Sequence, residues 1–200
     1  MYGAVAFYDE LKSRGVKPII GCEVYVASRS RHLKRGKEDS SGNHLILLCK
    51  NAAGYKNLCY LVSASFIEGF YSKPRVDREL LEKYSDGLIA LSACLAGEIP
   101  RAILNGDYDK AKQTALWYRD TFGEENFYLE VQDHGIREQK IVNPQILRIS
   151  KETGIPVVAT CDVHFMDKND EIFRRILMHS KGFSDADNQA PLYFRTTDEM

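Results

Sequence analysis

From residue 87 onward, an apolar run of strand length is followed by an amphipathic stretch of helical period three times in succession. The pairs are 87–94 with 96–122, 126–134 with 137–153, and 155–164 with 168–180. Strands that alternate with helices at this interval pair in parallel, because the chain must cross back before it can lie beside its previous strand. The rhythm therefore restricts the chain to the α/β class, as a mostly parallel sheet or barrel. Gly106 is placed to break the stretch 96–122, and Gly154 to close 137–153.

The first half is organised differently. Ala4, Phe7, Tyr8 and Leu11 recur at helical spacing and Gly15 supplies a stop, which predicts a short opening helix. Residues 17–27 (KPIIGCEVYVA) and 44–50 (HLILLCK) read as buried strands. No helical period lies in the charged loop 28–43 between them, so the second strand is expected to return antiparallel to the first. Helical spacing resumes over 53–68, and a short helix is expected over 76–84 with Asp77 near its start. The tail from Asp185 to Met200 is polar and turn-rich until Tyr193.

Composition narrows the function. The 27 Lys and Arg nearly cancel the 28 Asp and Glu, so contact with nucleic acid has to come from a local patch rather than from bulk charge. No apolar run approaches the ~20 residues that span a bilayer, and the start carries no signal pattern, so the expected setting is cytoplasmic, without membrane contact. Cys22, Cys49, Cys59, Cys94 and Cys161 are odd in number and contain no C-x-x-C pair, which reads as reduced thiols.

The chemistry is signalled by ionisable residues set within or at the ends of apolar strands, where an unpaired charge costs several kcal/mol. Glu23 interrupts the run 19–27, His44 opens the returning strand, and Cys94 ends the run 87–94. Asp162 and His164 form D-x-H at the end of the most apolar run, and residues two apart on a strand share a face. Each has an ordinary reading: a salt bridge for Glu23, a surface imidazole for His44, a packed thiol for Cys94. Parallel α/β folds gather functional groups at the carboxyl ends of their strands, and these five converge there as candidate metal ligands. A thiol among imidazoles and carboxylates favours zinc, with manganese or iron possible, over magnesium or calcium. Glu130, Gln132 and His134, at alternate positions of the strand 126–134, are candidates for orienting those ligands.

The segments KPIIGCEVYVA, HLILLCKNAAGYKNLCYLVS, GFYSKPRVD, GLIALSACLAGEIP, FYLEVQDHG and PVVATCDVHF resemble, in this order, the PHP domain of the bacterial DNA polymerase III alpha subunit. The resemblance implies a distorted β/α barrel of the polymerase and histidinol phosphatase type, with up to three metal ions. Its ligand positions match Glu23, His44, Cys94, Asp162 and His164. It also implies an earlier H-x-H segment, and no two of His32, His44, His134, His164 and His179 are separated by one residue. Residues 1–200 are thus expected to form a single, incomplete PHP barrel without its first strands and H-x-H segment, with polymerase domains outside the chain.

The implied activity is metal-dependent 3′→5′ exonuclease chemistry within a DNA-directed DNA polymerase, with DNA and the other holoenzyme subunits as partners. The segment alone is expected to be inactive. Lys73 and Arg75 are candidate phosphate clamps, although Pro74 between them also suits a rigid loop. Arg29, Arg31, Lys34 and Arg35 are candidate DNA contacts in a loop that reads equally well as solvated. Two other functions fit the same residues: a stand-alone PHP phosphoesterase, and a catalytically silent scaffold domain.

Overall fold

The computed structural model describes residues 1–183 and 186–200. Asp185, where the polar tail was expected to begin, lies outside the described residues. In chain order the elements are α1 (Ala4–Ser13), β1 (Gly21–Ala27), α2 (Gly36–Ser40), β2 (Gly42–Cys49), α3 (Ala52–Ile67), β3 (Arg75–Val76), α4 (Arg78–Lys83), β4 (Leu88–Leu91), α5 (Glu98–Leu104), α6 (Tyr108–Phe122), β5 (Phe127–Val131), α7 (Arg137–Thr153), β6 (Val157–Ala159) and α8 (Glu171–Ser180). A 3₁₀ turn, Lys168–Asp170, leads into α8.

The strands form one open sheet in the order β3-β1-β2-β4-β5-β6. β1 pairs antiparallel with β2, and β2 antiparallel with β4, whereas β1–β3, β4–β5 and β5–β6 are parallel. β2 alone therefore runs against the rest; the helix between residues 27 and 44, α2, is only 5 residues long, too short for the crossover that a parallel return needs. The α/β expectation holds, with the barrel present as an unclosed sheet.

One face of this sheet carries the core. Val24 and Val26 of β1, Leu45 and Leu47 of β2, Leu88 and Ala90 of β4, and Phe127 and Leu129 of β5 are all buried. They pack with Leu58 and Leu61 of α3, Ala111, Ala115 and Tyr118 of α6, and Val142, Ile146 and Ile149 of α7. Burying an aliphatic side chain of this size contributes about 1.5–3 kcal/mol, so the helix-facing side holds most of the fold's hydrophobic stabilisation. The helices are capped as their sequences require: Asn51 accepts from the Gly54 N–H, Asp77 from the Leu80 N–H, and Asp107 from the Lys110 N–H.

Three expectations need correction. The loop 28–43 contains α2, folded around the buried carboxylate of Asp39. The run 155–164 is a strand only over Val157–Ala159, its last partner being Val131 at the end of β5, and Asp162, three residues on, takes a left-handed φ of 46° outside the strand. Asp162 and His164 therefore do not share a strand face. Their segment pairs with the tail instead, the His164 N–H donating to the Leu192 carbonyl at 2.8 Å.

Candidate metal centre

Strand register brings the first donors together. Glu23 lies opposite Ile46 and Tyr25 opposite His44, so all four side chains project from the sheet face turned away from the helical core. The register continues across the sheet from Ile46 to Leu91, and from Leu91 to Tyr128. Glu130, two residues beyond Tyr128, shares this face. The donors thus stand on the side opposite the core formed with α3, α6 and α7.

His44 is the hub. Its Nδ1 contacts the Glu23 carboxylate and lies 3.5 Å from the Cys94 sulfur, while the Tyr25 ring meets the imidazole edge-on at 5.0 Å. Contact with Cys94, then with Glu23, raises the His44 pKa to about 9, and the same hydrogen bond holds Glu23 below the usual carboxylate value. The positive field of His164 also lowers Glu23, which puts the D-x-H segment within electrostatic reach of the first three donors. Within that segment, His164 Nδ1 is 2.7 Å from the Asp162 carbonyl and 3.8 Å from its carboxylate.

The residues behind these donors are tightly held. Glu130 is 5% exposed, and its Oε1 accepts from the Thr160 hydroxyl and, at 2.9 Å, from Gln132. Burial raises its pKa. His134 is equally buried: its Nε2 donates to the Cys161 carbonyl at 2.8 Å, and its Nδ1 accepts from Gln139 at 3.0 Å. The carbonyl partner sets this tautomer. Sequence reasoning did not single out Thr160 or Tyr25. Thr160 carries one weak signal, its position two residues before Asp162.

The basic candidates separate into two groups. Arg75 is completely buried, and its guanidinium donates to the carbonyls of Gly69, Asp39, Arg31 and Leu33. Arg31 is buried against Asp77 and also pairs with Glu68 and Glu79. Arg29 grips Asp39 with two nitrogens. These three hold the loop 28–43 onto the fold, and the Arg75 and Arg31 side chains have no exposed charge to present to a phosphate, contrary to expectation. Lys34 and Arg35 are exposed. Lys73 is exposed beside the donors, its Nζ 4.3 Å from the Tyr25 ring centroid, on a turn where Ser72 adopts φ 61°.

A family profile for the PHP domain matches residues 1–134, which include Glu23, His44 and Cys94. The chain belongs to the PHP domain family. Curated relatives of this PHP chain named DNA polymerase III subunit alpha include that of Borreliella burgdorferi, 48% identical over 181 residues that cover 89% of this chain and 16% of the relative. That of Treponema pallidum is 45% identical, covering 89% and 15%, and that of Thermus aquaticus 41% identical, covering 100% and 17%. The chain spans about a sixth of the length of these relatives.

PHP domains are metal-dependent, and the donor set fits that chemistry. A carboxylate, an imidazole and a thiol meet at one point, where Glu23 and Cys94 converge on a single nitrogen of His44. Among the described residues, no three His, Cys, Asp or Glu side chains are yet disposed as ligands around a common ion.

Proposed function

We propose that this chain is the metal-site part of a replicative DNA polymerase III alpha subunit, working in the cytoplasm on DNA with the other polymerase subunits. Its PHP portion would contribute metal-dependent 3′→5′ exonuclease chemistry to the whole protein. The observation that carries this reading is the contact of Glu23, His44 and Cys94 on the sheet face opposite the helical core, with the charge of His164 felt at Glu23. Similarity to alpha subunits over nine-tenths of the chain favours a polymerase segment over a stand-alone phosphoesterase.

In this reading Glu23, His44, Cys94, Asp162 and His164 hold divalent ions, zinc by preference and manganese as the alternative, up to three in the complete domain. Bound ions of this kind polarise a phosphodiester and acidify water. The chain's own groups do the rest. Glu23 and Cys94 set the His44 imidazole, which must release its proton to bind a cation. Lys73 offers a cation beside the donors to a DNA phosphate, and the exposed Lys34 and Arg35 extend the positive edge.

The test is equilibrium dialysis of the chain against zinc or manganese, paired with exonuclease assays of the longer polypeptide on 3′-labelled single-stranded DNA. His44→Ala and Asp162→Ala are expected to weaken metal binding by about 10-fold or more and to abolish 3′ release while polymerisation persists. A chain that binds neither metal, or variants with undiminished nuclease, would overturn the reading in favour of a silent scaffold.

A further inference from the structure

Two exposed phenylalanine rings stand outside the core, on the segment that leads to the donor face. Phe66, in the last turn of α3, and Phe70, just beyond it, are 53% and 48% exposed. Their rings lie nearly parallel, with centroids 6.3 Å apart and planes inclined by 22°. The turn that carries Phe70 is tightly built. Gly69 presses on the Arg75 carbonyl oxygen, which a Cβ would approach to 1.9 Å, and the Tyr71 N–H donates to the Lys73 carbonyl at 3.0 Å. The buried Arg75 guanidinium draws the Gly69 and Leu33 carbonyls to itself, each at 3.0 Å. Exposed cations therefore flank Phe70 on two sides. Lys34 and Arg35 follow Leu33, and Lys73 lies three residues on, at most about 11 Å of chain away. Lys73 in turn reaches the Tyr25 ring, which meets the His44 imidazole edge-on.

The charge around the rings favours an anion. Segments 28–43 and 68–79 hold eight Lys or Arg against five Asp or Glu, in a chain whose total is −1. Glu68, between the two rings in sequence, is already paired with Arg31 at 2.7 Å. Flat apolar rings add a second condition, since they favour an anion that carries flat apolar groups of its own. A single strand of nucleic acid meets both, its phosphates answering the lysines and its bases the rings. A duplex keeps its base faces stacked on one another and has none to offer. We propose that Phe66 and Phe70 form a stacking platform for the bases of a DNA single strand, with Lys73 holding the phosphate that leads from the platform to the metal donors. The proposal rests on the reading of this face as a site for DNA 3′ ends. Rings without hydrogen-bonding groups accept any base, so the platform is indifferent to sequence.

The experiment measures, by fluorescence anisotropy, binding of a labelled short oligothymidylate to the metal-free full chain, beside an abasic strand of equal length. The abasic strand keeps every phosphate and lacks the bases. Wild-type chain is expected to bind oligothymidylate about 5- to 100-fold more tightly than the abasic strand. Phe70→Leu keeps apolar bulk without an aromatic face and should erase most of that ratio, as should Phe70→Ala, whereas Phe70→Trp should preserve it. Phe66→Ala should lower the ratio in part. Lys73→Ala should weaken both strands alike and leave the ratio standing. Both rings are exposed and outside the core, so these variants are expected to fold, which circular dichroism checks. Equal binding of the two strands to wild type would overturn the platform, leave the DNA reading standing and assign the rings to a protein contact. A Phe70→Leu variant that keeps the full ratio would overturn it as well. Binding of neither strand would remove the platform and the DNA reading together, while dialysis against zinc still tests the donor set by itself.

Discussion

Arg31 and Asp77 form a buried ion pair in which Nη1 of the guanidinium donates to both carboxylate oxygens, at 2.9 and 3.1 Å, while the Arg31 backbone N–H donates to the same group. Asp77 also caps α4 through the Leu80 N–H, so one carboxylate ties the loop 28–43 to the start of a helix. Removing one partner of a buried pair leaves the other charge uncompensated, which costs about 3–5 kcal/mol. Arg31→Ala is expected to lose that much in urea unfolding, and the exposed Lys34→Ala to change it by under about 0.5 kcal/mol. Similar small losses for both would show that Arg31 is a surface group after all.

The proton on His44 gives a spectroscopic handle. Cys94→Ala removes the larger cause of its raised pKa and should bring the value down from about 9 toward 6.5, as read by NMR titration. Because the folded value lies above the unfolded one, this proton stabilises the fold fully below pH 6.5, and the contribution is lost as pH rises through about 9. Zinc has to displace the same proton, so affinity should climb with pH across that window. A zinc affinity flat from pH 6.5 to 9 would exclude His44 as a ligand.

Glu152 reports on acid stability. Lys112 and Arg148 both hydrogen-bond it, at 2.8 Å each, and lower its pKa to about 2. The folded value lies below the ordinary 4.5, so the contribution is present above pH 4.5 and disappears as pH falls through about 2. Glu152→Gln should therefore flatten the dependence of melting temperature on pH in that range. A slope equal to wild type would show that solvent screening cancels the pair.

Gly54 is where α3 meets the turn before β4. A Cβ at this position would stand 1.8 Å from the Gly87 carbonyl oxygen, a backbone atom that cannot swing aside. Gly54→Ala, ordinarily favourable in a helix, is expected to destabilise by about 1–3 kcal/mol or more, measured by thermal melts. A gain in stability would mean that α3 can slide away from residue 87 without loss.

Much of the fold was legible because its signals are local. Helix α7 runs over Arg137–Thr153 with Gly154 at φ 75°, as the spacing of apolar residues and the glycine implied. The break between α5 and α6 lies at Gly106, and β2 returns antiparallel for want of a crossover helix before it, α2 being only 5 residues long. The strand before Asp162 was over-read, because the pattern of IPVVATCDVH continues past Ala159, where the partner strand β5 has ended. A periodicity of side chains does not register where the neighbouring strand stops.

The placement of chemistry-bearing residues divides along the same line. From sequence alone came the α/β class, the metal-competent residue types near strand ends, and the oddity of Glu23 within an apolar run, since each depends only on what stands a few positions away. Only the tertiary structure decided that Arg75 and Arg31 serve the loop 28–43 rather than a phosphate, that Glu23 and Cys94 meet at one nitrogen of His44, and that Glu130 is buried against Thr160 and Gln132. A charged side chain takes its role from the partners that desolvate it, and those partners lie tens of residues away along the chain, where no local pattern records them.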